Sequence, residues 1–261
     1  MRIAVAATAP FGADVLERLA ARHEVVALLT RPDRRAGRGR ALKPPAAKVV
    51  AQRLEIPVLQ PERPTDELEL RAETVVVCAY GLLIPESLLD RGLWLNVHPS
   101  LLPRWRGAAP VERALLAGDT ETGVTIHETV AELDAGPIAA QRSFPLGPED
   151  DAGTVYTRSA ELAVELLDDV LPEPSFRPQA GEPTYAAKIG PEDRELDLTR
   201  SEESLNRIRA LSPHIGARGE LHGRRVTIWR ARLVDGELVP VEVQPEGRRR
   251  MSYDEFLRGL Q

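Results

Sequence analysis

The chain has 261 residues and a formal net charge of -6, and it is 43% hydrophobic and 28% charged. These values predict a globular protein with one large and one small domain, and they exclude a disordered chain and a protein that coats nucleic acid through overall positive charge. No apolar run reaches the ~20 residues of a membrane helix and the amino terminus lacks signal-peptide features, so we expect a cytoplasmic protein without a membrane partner.

Strand and helix patterns alternate over the first 171 residues. Amphipathic spacing predicts helices at 13–23, 43–55, 109–118 and 151–171. Strands separated by helices predict an α/β fold with a parallel-rich sheet, and a ligand site beyond the carboxyl ends of its strands. Short apolar runs predict these strands at 2–8, 24–30, 56–61, 74–80, 93–98 and 123–130.

Nucleotide-binding and cysteine signatures are missing from the sequence. The first strand-to-helix turn, ATAPFGAD, has no G-x-G-x-x-G spacing, and AGRGRALKPP lacks the G-K-[ST] of a phosphate-binding loop. The single cysteine, Cys78, lies in a valine-rich run and is interpreted as a small buried hydrophobic residue. We therefore expect neither a nucleotide cofactor nor a metal.

A change in composition predicts the domain boundary. Residues 172–185 contain four prolines and no periodicity, which is typical of a linker. Beyond it, alternating segments at 224–234 and 237–244 flank an Asp-Gly pair and predict a β-hairpin in a small β module. The predicted organisation is a catalytic domain at 1–171, a linker at 172–185 and a second domain at 186–261.

The segment LNVHPSLLPRWRGAAP, residues 95–110, holds the first candidate site residues. Asn96 and His98 are two apart on a predicted strand and therefore project from the same face. Asp134, in ELDAGP, follows another predicted strand. On these residues alone, an Asn-x-His near a strand end is more often a turn-capping pair than a catalytic one, and Asp134 is equally well interpreted as a turn initiator.

The motif N-x-H-P-S-L-L-P-x-x-R-G-A-A-P at 96–110, with further segments in order, resembles the folate-dependent formyltransferases, most closely the branch that formylates methionyl-tRNA. The resemblance implies a Rossmann-like formyltransferase domain with a parallel-rich sheet, followed by a small β-barrel-like (OB-like) domain that is shortened here. The other matching segments are 31–48, 57–61, 75–85, 117–138, 184–189 and 245–259.

The same resemblance implies a reaction and its residues. The formyl donor is 10-formyltetrahydrofolate, and the acceptor is the α-amino group of initiator methionyl-tRNA. Asn96 would donate to the developing oxyanion, His98 would stabilise it and assist proton transfer, and Asp134 would tune His98 or accept the amine proton. The folate would lie against four consecutive residues, Ser100, Leu101, Leu102 and Pro103.

A basic segment at 31–48 points to the acceptor. It contains seven basic residues and one acid, and such a run is ordinarily a solvated loop. The resemblance implies instead that it reaches the tRNA acceptor arm, with Arg38, Arg40 and Lys43 as contacts.

Two alternative functions remain open at this point. One is an N-formyltransferase for an amino sugar or another small amine, and the other is a non-enzymatic folate- or RNA-binding paralogue. The shortened second domain bears on the first alternative, because it offers less surface for gripping a tRNA. We expect the protein to be a monomer.

Overall fold

A computed structural model describes residues 1–36 and 41–260. Packing divides the chain into two compact units. The first unit comprises residues 1–106, 123–143 and 157–184, and the second comprises 107–122, 144–156 and the chain from 185 onward. The second unit thus includes two segments that precede the predicted linker, and the domain limits at 171 and 185 stay a prediction.

The strands agree with most of the sequence predictions. All six predicted strands are present, although the one at 56–61 is reduced to two residues. The strands are β1 (Arg2–Ala7), β2 (Glu24–Leu29), β3 (Arg34–Ala36), β4 (Ala41–Lys43), β5 (Val58–Leu59), β6 (Thr74–Cys78), β7 (Leu93–His98), β8 (Arg106–Gly107), β9 (Glu121–Glu128), β10 (Ile138–Pro145), β11 (Tyr185–Ala186), β12 (Ala217–Leu221), β13 (Arg224–Val234), β14 (Glu237–Pro245) and β15 (Met251–Ser252).

The four predicted helices of the first 171 residues are also present. The second of them begins after the Pro44-Pro45 pair, since Pro45 is its N-cap. Among the described residues, no helix is both long and apolar enough to cross a bilayer. The helices are α1 (Pro10–Ala20), α2 (Ala46–Arg53), α3 (Glu86–Leu89), α4 (Pro110–Leu116), α5 (Ala152–Val170), α6 (Ser201–Leu211) and α7 (Tyr253–Arg258), with a 3₁₀ turn at Glu192–Arg194.

A seven-stranded sheet of order β10-β9-β7-β6-β1-β2-β5 confirms the α/β fold class. The strands from β7 to β5 run parallel, and β9 pairs antiparallel with β7. The alternation of side chains along each strand builds one apolar layer, to which β1, β2 and β6 contribute alternate residues. The sheet therefore brings the carboxyl ends of β1, β6 and β7 to one edge.

Cys78 ends β6 and is fully buried, as predicted from its apolar surroundings. Burial raises the pKa of its thiol well above the ordinary value. The thiolate form is therefore disfavoured, and the side chain acts as a small hydrophobic residue.

The second unit contains the predicted small β module. It is a four-stranded antiparallel sheet of order β12-β13-β14-β15, and α6 and α7 pack against it. The predicted hairpin is confirmed, because Asp235 and Gly236 both adopt positive φ and join β13 to β14 in two residues. The described residues thus form a small antiparallel sheet of four strands here.

Close packing of α1 on the sheet generates a stability prediction. A Cβ on Gly12 would lie 2.4 Å from the Cys78 carbonyl oxygen, so Gly12→Ala forces the helix away from β6. We expect a destabilisation of about 1–3 kcal/mol, seen as a lower melting temperature. Gly259→Ala is the control, because its Cβ would meet no atom closer than 3.4 Å. Equal melting temperatures for the two variants would contradict this packing argument.

Candidate active site

Strand pairing brings a second histidine to the predicted Asn-His pair. Asn96 and His98 occupy alternate positions of β7, so they share one face of the sheet. In the antiparallel β7–β9 pair, Asn96 lies opposite His127 and His98 lies opposite Thr125. Since residues opposite each other project from the same face, His127 joins the pair.

Asp134 lies at the centre of this group. It follows β9 in the loop before β10, with a backbone φ of 48°, and its side chain is 8% exposed. The Asn96 amide nitrogen donates to Asp134 Oδ1 at 3.2 Å. His98 Nδ1 lies 3.7 Å from Asp134 Oδ2, and His127 Nε2 lies 3.7 Å from Oδ1. The three predicted residues are therefore adjacent in the structure, and His127 is a fourth member of the cluster.

Hydrogen bonds assign the proton on each imidazole. His98 Nε2 donates to the Trp105 carbonyl oxygen at 2.8 Å, so its Nδ1 faces Asp134. His127 Nδ1 donates to the Glu128 carbonyl oxygen at 2.8 Å, which leaves Nε2 with its lone pair toward Asp134. A carbonyl oxygen can only accept, so these contacts place a proton on His98 Nε2 and on His127 Nδ1.

His127 is held in its neutral form. Burial and the neighbouring His98 lower the pKa of its imidazole to about 4, against the opposing effect of Asp134. Its Nε2 is buried and has no hydrogen-bond partner in the structure. A buried acceptor of this kind is costly unless a donor reaches it, so the cluster is suited to a ligand or water that carries N–H or O–H groups.

The predicted folate loop is fixed by the protein itself. The Thr125 hydroxyl donates to the Ser100 carbonyl at 2.7 Å and accepts from the Leu102 amide at 3.2 Å. The Gln141 side chain donates to both the Leu102 carbonyl and the Thr125 hydroxyl. Ser100 and Leu102 are buried, whereas Leu101 and Pro103 are partly exposed. The loop therefore offers a ligand mainly apolar side-chain surface on a rigid backbone.

The predicted tRNA contacts fall partly outside the described residues. Arg38 and Arg40 lie in the segment 37–40, which the structure does not describe. Lys43 is exposed on β4, which pairs with β3 so that Lys43 lies opposite Arg34, also exposed. Sequence patterns had not predicted the β3–β4 pair.

The single acid of the basic segment is already paired. Both oxygens of Asp33 accept from the Lys48 ammonium at 2.8 Å, and one also accepts from Gln60 at 2.9 Å. These contacts, that of Gln60 first, hold the pKa of the Asp33 carboxyl below its usual range. Asp33 therefore neutralises Lys48 and leaves the charge of the β3–β4 pair positive.

An open cavity of about 650 Å³ lies at the opposite edge of the sheet, where Arg2, Thr74 and Gly92 mark the amino ends of β1, β6 and β7. It contains none of the predicted site residues. The polar cluster at the carboxyl ends is thus the better candidate site, because the chemistry-bearing groups converge there.

Sequence reasoning missed two polar residues that border the cluster. Arg106 and Gln179 are hydrogen-bonded to each other, and Gln179 also contacts the backbone of the Asp134 loop. Gln179 lies in the predicted linker, where no periodicity marked it. A contact across more than forty residues leaves no signal in local sequence patterns.

The neutral state of His127 generates a pH prediction. Its folded pKa of about 4 lies below the ordinary value of 6.5, so the unfolded chain binds a proton more readily than the folded one between these values. The stabilising effect is complete above pH 6.5 and declines as the pH falls toward 4, by up to about 3 kcal/mol.

The pH dependence of the parent's stability is compared with that of His127→Met, whose side chain cannot bind a proton. Urea unfolding at several pH values should show the parent losing more stability than this variant between pH 6.5 and 4. Parallel curves for the two proteins would show that His127 is not held neutral by folding.

Comparisons with known proteins assign the family. Residues 1–171 match the model of the formyl transferase family. A methionyl-tRNA formyltransferase from Cereibacter sphaeroides is 40% identical over 295 aligned positions, covering 100% of this chain and 96% of that protein.

Solved structures agree on the fold. The methionyl-tRNA formyltransferase from Clostridium thermocellum has a TM-score of 0.67 at 17% identity, covering 94% of this chain and 98% of that one. HypX from Aquifex aeolicus, in complex with tetrahydrofolic acid, has a TM-score of 0.63 at 16% identity. That match covers 98% of this chain and 46% of the HypX chain. At 16–17% identity these structural matches show the fold alone. The sequence matches show the family: this chain belongs to the formyl transferase family, among the methionyl-tRNA formyltransferases.

Proposed function

We propose that this enzyme transfers the formyl group of 10-formyltetrahydrofolate to the α-amino group of initiator methionyl-tRNA. The observation that carries the proposal is the convergence of Asn96, His98 and Asp134 at the carboxyl edge of the sheet, within 3.7 Å of one another through Asp134. We also propose a cytoplasmic location, where charged tRNA is found, and a monomeric enzyme.

The first task of the site is to stabilise negative charge on the formyl oxygen. Attack of the amine on the formyl carbon converts the carbonyl oxygen into an oxyanion. Asn96 has two amide hydrogens, and one is directed to Asp134, so the other serves as the oxyanion donor. The hydrogen bond to Asp134 holds the amide in the orientation that this requires.

The second task is to move protons. The attacking amine becomes positively charged and must lose a proton, while the folate nitrogen must gain one as the carbon–nitrogen bond breaks. The Asp134 carboxylate lies beside His98 Nδ1, so it accepts the amine proton and passes it to Nδ1. His98 then releases this proton toward the leaving folate nitrogen, while its Nε2 proton stays hydrogen-bonded to the Trp105 carbonyl oxygen. An α-amino group titrates near pH 8 and its ester attachment to tRNA lowers that value, so much of the amine is already neutral and attacks the formyl carbon directly, without a covalent enzyme intermediate.

His127 adds an acceptor to this arrangement. Its unpartnered Nε2 lies 3.7 Å from Asp134 Oδ1. A donor with two hydrogens, such as the substrate amine or a water, bridges the two acceptors. Such a bridge holds the amine with its lone pair free for attack.

The formyl donor is proposed to lie against residues 100–103. Internal hydrogen bonds hold Ser100 and Leu102, and the partly exposed Leu101 and Pro103 present apolar surface. A rigid apolar wall suits the flat pterin ring, because little entropy is lost when it binds.

The acceptor is proposed to approach over the β3–β4 pair. Lys43 and Arg34 are exposed and opposite each other, and Arg38 and Arg40 lie in the same basic segment of the sequence. Basic side chains at this spacing favour a phosphate backbone over a neutral amino sugar.

An acceptor assay tests the proposal directly. Purified enzyme with 10-formyltetrahydrofolate would be offered charged initiator tRNA and, separately, a panel of amino sugars and sugar nucleotides. We expect formyl-methionyl-tRNA with inhibition by salt. Formylation of the sugars with none of the tRNA would overturn the acceptor assignment, and no formylation of any amine would overturn the function.

Removal of the imidazole tests the chemistry. His98→Ala removes one preorganised group and is expected to lower kcat by at least ~10²-fold, with little change in the circular dichroism spectrum. His222→Asn, at an exposed histidine that also has positive φ, is the control and should retain full turnover. Near-normal turnover of a folded His98→Ala protein would contradict the mechanism.

Removal of single basic side chains tests the proposed acceptor surface. Lys43→Ala and Arg38→Ala are each expected to raise KM for methionyl-tRNA and to reduce the salt dependence of kcat/KM by about one phosphate contact. KM for the formyl donor should not change. Arg142→Ala removes an exposed arginine that is paired with Glu165, and it should leave the salt dependence as in the parent. An unchanged salt slope in both test variants would contradict this assignment.

A further inference from the structure

The chain segment before residue 185 runs beside the Asp134 loop in a defined register. Ile138 and Arg177 form an antiparallel bridge and exchange both backbone hydrogen bonds, at 2.7 and 2.9 Å. Two residues further along each segment, in opposite directions, the register places Gln179 opposite Gly136. A residue of the predicted linker is therefore aligned with the loop that carries Asp134.

The Gln179 side chain uses all its hydrogen-bonding capacity on this loop and on one arginine. Its amide nitrogen donates to the Asp134 carbonyl oxygen at 2.7 Å and to the Gly136 carbonyl oxygen at 2.9 Å. Its amide oxygen accepts from Arg106 Nε at 3.2 Å and Nη2 at 2.8 Å. Since Arg106 can only donate, it turns the amide oxygen toward itself and the amide hydrogens toward the loop.

The loop is tight where Gln179 holds it. A Cβ on Gly136 would lie 1.8 Å from the Glu128 carbonyl oxygen, so the loop backbone packs directly against the end of β9. Asp134 itself adopts a φ of 48°, a conformation that non-glycine residues maintain only when their surroundings impose it. The two bonds from Gln179 to the carbonyls of Asp134 and Gly136 are such surroundings.

We propose that Gln179, oriented by Arg106, is a positioning residue that aims the Asp134 carboxylate at Asn96, His98 and His127. Gln179 acts through the backbone of Asp134 and takes no part in proton transfer itself. The inference rests on the proposed function, because it assigns Gln179 a role in the reaction that Asp134 is proposed to serve.

The main test is Gln179→Met, which keeps the size of the side chain and removes its hydrogen bonds. A displacement of a catalytic group by ~1 Å can cost ~10²-fold in rate, so we expect kcat to fall by about 10- to 100-fold. KM for the formyl donor and for methionyl-tRNA should stay within about twofold of the parent, because neither binding surface is altered.

A double variant separates positioning from general destabilisation. If Gln179 acts through Asp134, adding Gln179→Met to Asp134→Asn should change kcat by less than about threefold. If Gln179 only stabilises the fold, its effect should multiply that of Asp134→Asn. Full multiplication would therefore overturn the proposal.

Two further variants guard against misfolding. Gln179→Glu still accepts from Arg106 but cannot donate to the two carbonyl oxygens, so it should lose as much kcat as Gln179→Met. Gln244→Met is the matched control. Gln244 likewise accepts from a side chain, that of Trp229, and donates to a backbone carbonyl, that of Arg248. It should retain the parental kcat.

A measurement independent of activity completes the test. Amide hydrogen exchange in residues 132–136 should accelerate in Gln179→Met and not in Gln244→Met. Parental kcat and parental exchange in Gln179→Met would overturn the inference while leaving the function intact. A parent enzyme that formylates no methionyl-tRNA would overturn the proposed function, and the exchange result would still report on the loop.

Discussion

The structure of the candidate site depends on keeping one carboxylate buried. Asp134 is 8% exposed, and a buried carboxylate is stable only with hydrogen-bond donors and paired charge. Asn96 supplies a donor directly, and His98 supplies a group that can carry positive charge. Both come from β7, so the alternation of side chains along one strand provides both partners of a residue that follows 36 to 38 positions later in the chain.

The second histidine, His127, differs from His98 in its electrostatic role within the cluster. Burial and the proximity of His98 keep His127 neutral, with a pKa of about 4. A neutral His127 does not compete with His98 for the charge of Asp134, and it contributes a lone pair instead of a proton. The site therefore has more acceptors than donors, which is the balance that an amine, a substrate rich in N–H groups, requires.

Local sequence patterns were sufficient for the parts of the fold that depend on local periodicity. Apolar runs located β1, β2, β6 and β7, and the two-residue spacing placed Asn96 and His98 on one face. The position of His127 depends on the β7–β9 register, and that of Gln179 on an antiparallel bridge to Ile138. These are long-range pairings that periodicity within a segment cannot encode. The strand β10 was missed because its polar centre, with Gln141, Arg142 and Ser143, does not alternate.

Salt should act differently on the buried Asp134 cluster and on the exposed β3–β4 pair, the proposed acceptor surface. Charges at the β3–β4 pair face solvent, where interactions are screened within about 8 Å at physiological ionic strength, whereas those around Asp134 are shielded from mobile ions. The protein as a whole is acidic, with a net charge of -6, so its surface outside this pair repels a polyanion. A local positive patch on such a surface would select the orientation of the proposed tRNA acceptor as well as attract it. Ionic strength should therefore act on the encounter with the acceptor while leaving the chemical step nearly unchanged.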